Sequence, residues 1–129
     1  MALFYSNKHD ITNGQITVLC HDKPLFEPNW ETGKEPAIFD PQEFGIIIGC
    51  KNNSKVEVKI YDSSLKLTSQ FILSSTGTFK VRNNLIQIGD LSTKQIGKGA
   101  VKNGDYIAEI YKNHRDSAKA DKIVIVLLR

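Results

Sequence analysis

Few residues of this chain have the types and spacing that acid–base, nucleophilic or metal chemistry requires. The candidates include all three histidines and both cysteines, which are His9, His21, His114, Cys20 and Cys50. No two histidines have the spacing of metal ligands, and the two cysteines do not form a zinc-binding cluster. His21 directly precedes Asp22, and a carboxylate can orient an imidazole as a base. Histidines in turns are more commonly plain surface residues, so we interpret all three as solvated residues of turns and loops.

The two cysteines lie in the apolar phase of strand-like segments. Cys20 is in phase with Ile16 and Val18, and Cys50 is in phase with Ile48. Side chains two residues apart share one face of a strand, so both thiols are expected inside the protein as small hydrophobic groups. A nucleophilic cysteine needs an exposed, electropositive setting, which this pattern does not offer. The sequence therefore predicts a protein that is not an enzyme and that holds no metal or cofactor.

A second group of candidates concerns phosphate binding. Gly97-Lys98-Gly99 lacks the G-x-x-x-x-G-K-[ST] spacing and the following helix of a phosphate loop, so we interpret it as a flexible β-turn. Six basic residues of the C-terminal third could form a phosphate-binding surface: Lys98, Lys102, Lys112, Arg115, Lys119 and Lys122. Few aromatic residues accompany them, and the net charge of the chain is only +3. A solvated basic rim is the favoured interpretation, and nucleic acid is not the expected partner.

The elements that position these residues are strands. Apolar and polar residues alternate along most of the chain, most regularly in 55–61, where Val56, Val58 and Ile60 are expected to point inward. Eight segments are predicted as strands: 15–21, 44–50, 55–61, 64–73, 78–82, 85–89, 106–112 and 122–128. The last is apolar on both faces and is expected in the middle of a sheet. Asn83-Asn84 is interpreted as a tight hairpin turn. The sequence predicts an all-β fold, in which residues 1–129 form a single-domain antiparallel β-sandwich of about eight strands.

Residues 22–43 form a segment of unusual composition. They contain all four prolines, the only tryptophan and six of the fourteen acidic residues, and their charge of −4 contrasts with +7 for the rest of the chain. We interpret the segment as one long acidic loop kept for contact with a basic partner. The acids, Glu43 among them, repel one another and are expected to add nothing to the fold.

The predicted partner-binding residues are the aromatic anchors and acids of this segment: Phe26, Glu27, Trp30, Glu31, Glu35 and Asp40. An alternative stays open for the apolar residues of the segment, which could instead close one end of the sandwich. For that role the candidates are Phe26, Trp30, Ile38 and Phe39. The acids are thus assigned to the partner, and the aromatics either to the partner or to the fold.

Three motifs carry a family resemblance. Gln15-x-Thr17-Val18, then Asn29-Trp30-Glu31-x-x-Gly33, then the turn Lys102-Asn103-Gly104-Asp105-Tyr106 resemble the competence-locus inhibitor of the DNA-entry nuclease. In that family Asp stands where this chain has Asn29, and the turn is one residue shorter. The resemblance implies a stoichiometric inhibitor of the immunity-protein kind, which guards a cell against its own nuclease toxin. Its mechanism would be occlusion of the nuclease active site.

Two other classes of function remain open. One is a non-catalytic β-sandwich module of a phage or secretion assembly, and the other is a weak nucleic-acid-binding domain that uses the basic C-terminal third. No apolar run approaches the ~20 residues that span a bilayer, and the first residues lack the pattern of a signal peptide. We therefore expect a cytoplasmic protein with no membrane contact.

Overall fold

The computed structural model describes residues 3–11, 14–20, 36–62, 70–90 and 95–129. These ranges contain ten strands and one 3-10 turn, Ser117–Lys119. The strands are β1 Leu3–Ile11, β2 Gln15–Cys20, β3 Ala37–Phe39, β4 Gly45–Gly49, β5 Ser54–Tyr61, β6 Ile72–Val81, β7 Leu85–Asp90, β8 Gln95–Ala100, β9 Gly104–Lys112 and β10 Lys122–Leu128. The predicted all-β class is confirmed. Within these ranges, no helix has the length and apolar character needed to cross a membrane.

The strands form two five-stranded sheets. The first sheet has the order β1-β5-β10-β9-β6, and the second has the order β3-β4-β2-β7-β8. Their inward-facing side chains share one hydrophobic core, which includes Val58, Ile110 and Ile125 of the first sheet and Ile16, Ile48 and Ile86 of the second. As the alternation predicts, Val56, Val58 and Ile60 are all fully buried.

The described ranges hold ten strands rather than the eight predicted. The additional strands are β1, β3 and β8, and none of them has a regular apolar alternation. β1 is exposed at five of its nine residues, β3 is three residues long, and β8 contains two glycines. Conversely, β6 is one continuous strand where two were predicted, 64–73 and 78–82, and residues 64–69 of the first lie outside the described residues. Sheet contacts, rather than local periodicity, form these strands.

β10 lies in the middle of the first sheet, as its two apolar faces predict. It is antiparallel to β9 on one side, with Ile123 opposite Lys112. On the other side it is parallel to β5, with Ile123 opposite Val58. The expectation of a wholly antiparallel fold is therefore wrong at this ladder. Alternation of apolar residues indicates which face of a strand is buried, but it contains no information on the direction of the neighbouring strand.

Asn83 and Asn84 have positive φ angles of 62° and 54°. The predicted hairpin is nevertheless wrong, because β6 belongs to the first sheet and β7 to the second, so this turn carries the chain between sheets. The β8–β9 connection makes the reverse crossing. The two crossings are joined by reciprocal hydrogen bonds, from Asn84 N to Asn103 Oδ1 at 2.7 Å and from Asn103 N to Asn84 Oδ1 at 3.0 Å.

The sheets also meet along both edges, and at each seam an aromatic ring lies over glycine. Tyr5 of β1 covers Gly97 and Gly99 of β8, where a Cβ at Gly97 would overlap the Tyr5 hydroxyl. The predicted flexible β-turn at Gly97–Gly99 is therefore wrong: this segment is a strand whose missing side chains make room for a ring. At the other seam, Phe39 of β3 lies over Gly77 of β6, where a Cβ would come within 2.6 Å of the ring.

Candidate partner-binding site

The chemistry-bearing side chains in the described ranges are used for structure. No group of three or more His, Cys, Asp or Glu residues there is arranged to hold a metal ion. Cys20 and Cys50 are both buried and unbonded to each other, as their phase predicts. The Cys20 thiol accepts a hydrogen bond from Arg82 N at 3.1 Å. Burial raises the pKa of the Cys50 thiol to about 12, so its nucleophilic thiolate form is strongly disfavoured.

His9 differs from its interpretation as a solvated residue. It is buried in β1, and its Nε2 is hydrogen-bonded to the Tyr5 hydroxyl at the seam with β8. Burial lowers the pKa of His9, and the nearby Asp10 carboxylate partly opposes that shift. His114 is exposed, as expected, and its Nδ1 accepts a hydrogen bond from Asp116 N at 3.0 Å. Neither histidine is arranged as a general base.

Most of the predicted partner-binding residues lie outside the described ranges. These are Phe26, Glu27, Trp30, Glu31 and Glu35, together with the His21-Asp22 pair. Their role stays a prediction. The structure does fix the two ends of this part of the chain. At one end, Cys20 N donates to Phe44 O at 2.8 Å, and at the other, Gly49 N donates to Pro36 O at 3.1 Å. Cys20 and Pro36, which flank residues 21–35, therefore lie at opposite ends of β4, the second strand in the order of the second sheet.

Asp40 is the one predicted partner-binding residue that the structure describes. Its carboxylate accepts hydrogen bonds from Gln42 N at 3.0 Å and from Phe44 N at 3.3 Å. Its carbonyl accepts a third from Glu43 N at 2.8 Å. These bonds form the tight turn between β3 and β4, a common use of an Asp side chain at the start of a turn. Asp40 therefore shapes the base of the acidic segment.

Glu43 contradicts the expectation that the acids add nothing to the fold. Its side chain accepts a hydrogen bond from Thr78 Oγ1 at 2.7 Å and forms a salt bridge with Lys80 Nζ at 3.1 Å. Its carbonyl accepts a hydrogen bond from Lys80 N at 2.7 Å, and its φ is 69°. The bonds from Thr78 and Lys80 lower the pKa of the Glu43 carboxyl. Glu43 thus joins the turn after β3 to the edge strand β6 of the other sheet.

Two roles were open for the aromatic residues of the segment, contact with the partner or closure of the fold. Of these residues, the structure describes Phe39. The Phe39 ring packs against the hydrophobic core and covers Gly77. Its neighbour Ile38 is half-buried in β3, which pairs with β4 along 37–39. The C-terminal part of the segment is therefore built into the fold, with Phe39 closing one seam.

Lys112 was assigned to the solvated basic rim, and this assignment is wrong. Only 1% of its surface is exposed. Its ammonium donates to the Pro36 carbonyl at 2.7 Å and to Ser117 Oγ at 2.8 Å. Burial lowers the pKa of Lys112 to about 8, and the nearby Cys50 acts in the opposite direction. The sequence contained a signal for this position, because Lys112 is in phase with the inward-facing Ile110 of the same strand.

The other five members of the predicted rim are exposed: Lys98, Lys102, Arg115, Lys119 and Lys122. Two of them, Arg115 and Lys119, belong to the polar loop 113–121. This loop is ordered by Asp116, whose Oδ1 accepts from Ala118 N at 3.0 Å, and by Asn113, whose Nδ2 donates to Asp121 Oδ1 at 2.6 Å. Through Ser117 and Lys112, the loop lies beside the point at which the acidic segment enters β3.

This chain is similar to known proteins in structure, but comparison of its sequence alone finds no match. No family model matches the chain, and no curated protein matches it in sequence. Two solved structures share its architecture. One is ComJ from Bacillus subtilis, an inhibitor of the DNA-degrading activity of NucA, with a TM-score of 0.72 and 18% identity over 98% of this chain and 96% of that one. The other is the protein of crocagin biosynthetic gene J, with a TM-score of 0.62 and 10% identity over 99% of this chain and 98% of that one. The chain thus has a nuclease-inhibitor-like fold over almost its whole length, in agreement with the family that its sequence motifs resemble.

Proposed function

We propose that this protein is a non-catalytic inhibitor that binds a nuclease and blocks its active site. The observation that carries this proposal is the likeness to ComJ across 98% of the chain, which agrees with the motifs that resemble the same family. The chemistry of the described residues is consistent with a binding role, since the cysteines and His9 are buried and Lys112 is enclosed by structural contacts.

The acidic segment supplies the complementarity that such an inhibitor needs. A nuclease binds the DNA backbone with Arg and Lys side chains, and a surface of opposite charge is attracted to that site and competes with the phosphates. In our proposal Glu27, Glu31 and Glu35 face those cations, and Phe26 or Trp30 provides a desolvated anchor. Asp40 and Glu43 hold the base of the segment against both sheets, so that less conformational freedom is lost on binding.

The biological setting is a further part of the proposal. A cell that makes a nuclease toxin needs an intracellular protein that neutralises it, and a small protein that blocks the active site would meet that need. We therefore propose a cytoplasmic immunity protein with a basic nuclease as its partner. A gene for a nuclease directly beside the gene for this protein would support that setting.

The second structural likeness favours a second candidate. The protein of crocagin biosynthetic gene J shares the fold at a TM-score of 0.62. A binding role in a biosynthetic pathway is therefore the alternative to nuclease inhibition. The phage or secretion module and the nucleic-acid-binding domain have no corresponding observation in their favour.

The test is purification of the protein from its native host together with whatever binds it, followed by a DNA-degradation assay of the partner. We expect a nuclease to co-purify, and we expect one equivalent of the added protein to abolish its activity. A nuclease that stays active in the presence of excess protein would contradict the proposal. Co-purification of a biosynthetic enzyme in place of a nuclease would favour the second candidate.

A further inference from the structure

A surface cavity of about 250 Å³ lies at the end of the sandwich where β9 begins and β10 ends. Its lining residues come from four parts of the chain that the fold brings together: Phe4, Asp62, Lys102, Tyr106 and Arg129. All of them lie in the described ranges and outside the acidic segment 22–43. The cavity is smaller than the about 300–1,000 Å³ that is typical of small-molecule pockets, but it has room for one side chain.

The guanidinium of Arg129 is held in place by neutral groups. Its Nη2 donates hydrogen bonds to the Asn103 carbonyl at 2.9 Å and to the Tyr106 hydroxyl at 3.1 Å. Its central carbon lies 5.2 Å from the centre of the Tyr106 ring, within the range of a cation–π interaction. The guanidinium also packs against Gly104, where a Cβ would come within 3.2 Å of Nε. These contacts fix the position of the charge without neutralising it.

Tyr106 connects this guanidinium to Lys102, the second cationic residue of the cavity. The Tyr106 hydroxyl donates to the Lys102 carbonyl at 2.6 Å while it accepts from Arg129. Because Tyr106 is only 4% exposed, its side chain fixes the Lys102 backbone and the Arg129 side chain relative to each other. Lys102 and Arg129 are themselves exposed, so a ligand can reach both charges from the solvent.

The two cations have donors that are free to bind an anion. Neither Lys102 nor Arg129 takes part in the three salt bridges found among the described residues. Both hydrogen bonds of Arg129 come from Nη2, so its Nε and Nη1 donors have no acceptor in this part of the chain. A guanidinium and an ammonium that line one cavity attract an oxyanion, because each forms strong charge-assisted hydrogen bonds.

The charges of the lining favour a carboxylate over a phosphate. Lys102 and Arg129 contribute two positive charges and Asp62 contributes one negative charge, which leaves a net charge of +1. A carboxylate carries a single negative charge, whereas a phosphate monoester carries about 1.5 to 2 and would be repelled more strongly by Asp62. The aromatic rings and the arginine are also residue types that are enriched in protein–protein interfaces.

We propose that this cavity binds one glutamate or aspartate side chain of the protein partner. The carboxylate accepts hydrogen bonds from Arg129 and Lys102, and the methylene groups pack on the Phe4 ring. Because Tyr106 already holds Arg129 in place, little side-chain freedom is lost on binding. The inference rests on the proposed function only in assuming that the partner is a protein. It adds an acidic residue of that partner to the contacts.

The first measurement needs no partner. The free protein is titrated with sodium propionate, which has the carboxylate and methylene groups of a glutamate side chain, and the NMR shifts of the Gly104 and Tyr106 amides are followed. We expect both shifts to saturate, and sodium chloride at the same ionic strength should not reproduce them. Lys102→Gln and Arg129→Gln should each abolish the saturation. Arg115→Gln is the matched control, because Arg115 is exposed and follows the opposite end of β9.

Two results of this titration would overturn the inference. Amide shifts that do not saturate with propionate, or that saturate equally in Lys102→Gln and Arg129→Gln, would mean that the cavity does not bind a carboxylate. Inorganic phosphate is titrated in the same way. If phosphate saturates the shifts at a lower concentration than propionate does, the assignment of a carboxylate is wrong.

The second measurement is the affinity of the same variants for the co-purified partner. We expect Arg129→Gln to weaken binding about tenfold, in keeping with the loss of a charge-assisted hydrogen bond, while Arg115→Gln binds as the wild type does. Unchanged affinity of Arg129→Gln, or an equal loss in Arg115→Gln, would contradict the inference and leave the inhibitor function standing. A partner that binds through this cavity but has no nuclease activity would contradict the proposed function and leave the inference standing.

Discussion

The Phe39 ring lies directly over Gly77, with three ring atoms within 2.7 Å of where a Cβ on that glycine would be. This contact joins β3, at the end of the acidic segment, to the edge strand of the opposite sheet. It shows that the segment is partly a structural element, because its last aromatic residue closes a seam of the fold.

Gly77→Ala should therefore destabilise the protein. The added methyl group would overlap the Phe39 ring, and overpacking of this kind typically costs about 1–3 kcal/mol. The measurement is the free energy of unfolding from urea denaturation. Thr76→Ala, at the exposed neighbouring position of β6, is the control and should have a much smaller effect. Equal stability of Gly77→Ala and the wild type would mean that the ring does not pack on Gly77.

The two crossings between the sheets should be energetically coupled. Asn84→Gly keeps the positive φ of 54° accessible but removes the side chain that accepts from Asn103 N. Asn103→Ala removes the acceptor for Asn84 N. Each change should cost about 1 kcal/mol, and the double mutant should cost less than the sum because the two bonds belong to one network. Strict additivity in chemical denaturation would contradict this coupling.

Lys112 should make stability depend on pH in an alkaline window. Its pKa is 10.5 in an ordinary setting and about 8 in the folded protein. Above pH 8 the unfolded state therefore binds more protons than the native state, so the free energy of unfolding rises with pH. The raised pKa of Cys50 opposes this trend above its ordinary value of 9, which leaves pH 8 to 9 as the clearest window.

Lys112→Met should remove that rise, and it should be the more stable protein at pH 7, by up to about 3 kcal/mol if the whole pKa shift reflects desolvation of the ammonium. The measurement is urea denaturation of both proteins at several pH values between 7 and 9. A wild-type stability that is flat across this window, or that falls in the same way in both proteins, would contradict the burial of a titrating Lys112.

His9 should make the protein less stable in mild acid. Burial lowers its pKa below the ordinary value of 6.5, with Asp10 as a smaller opposing influence. As the pH falls through 6.5 the unfolded state takes up a proton that the native state does not, so the free energy of unfolding decreases. His9→Gln should lose this contribution while keeping a polar group beside the Tyr5 hydroxyl. The check is the difference between the two proteins in thermal unfolding from pH 7 to pH 5.

The amount that the sequence could predict differs from element to element. In β5, strict alternation placed Val56, Val58 and Ile60 inside correctly, because one face of that strand is wet and the other is buried. β10 was also predicted with its full bounds, since seven consecutive residues form a largely apolar run. In these two strands, the pattern of apolar residues by itself indicates which faces are buried.

Other elements are defined by contacts that are distant in the chain. The local sequence around Gly97 is typical of a turn, but the Tyr5 ring lies over this glycine and the segment is a strand. The three residues of β3 are held mainly by pairing with β4. Asn83 and Asn84 were correctly assigned to a turn, but local sequence does not determine whether such a turn joins neighbouring strands or two sheets. Lys112 is a similar case at the candidate site. Its strand phase indicates burial, but lysine is a residue type that usually lies on the surface, so the sequence favoured an exposed position.

The central claim is that the acids of residues 21–35 attract a basic nuclease, and its most direct test is the association rate constant of the two proteins at several salt concentrations. The variant reverses Glu27, Glu31 and Glu35 to lysine. The control reverses three acids of the first sheet, Asp10, Asp105 and Glu109, to lysine, so that the net charge changes equally. We predict that the first variant associates at least about tenfold more slowly at low salt and loses most of its salt dependence, while the control changes little. Association kinetics of the first variant that match those of the wild type would contradict the account.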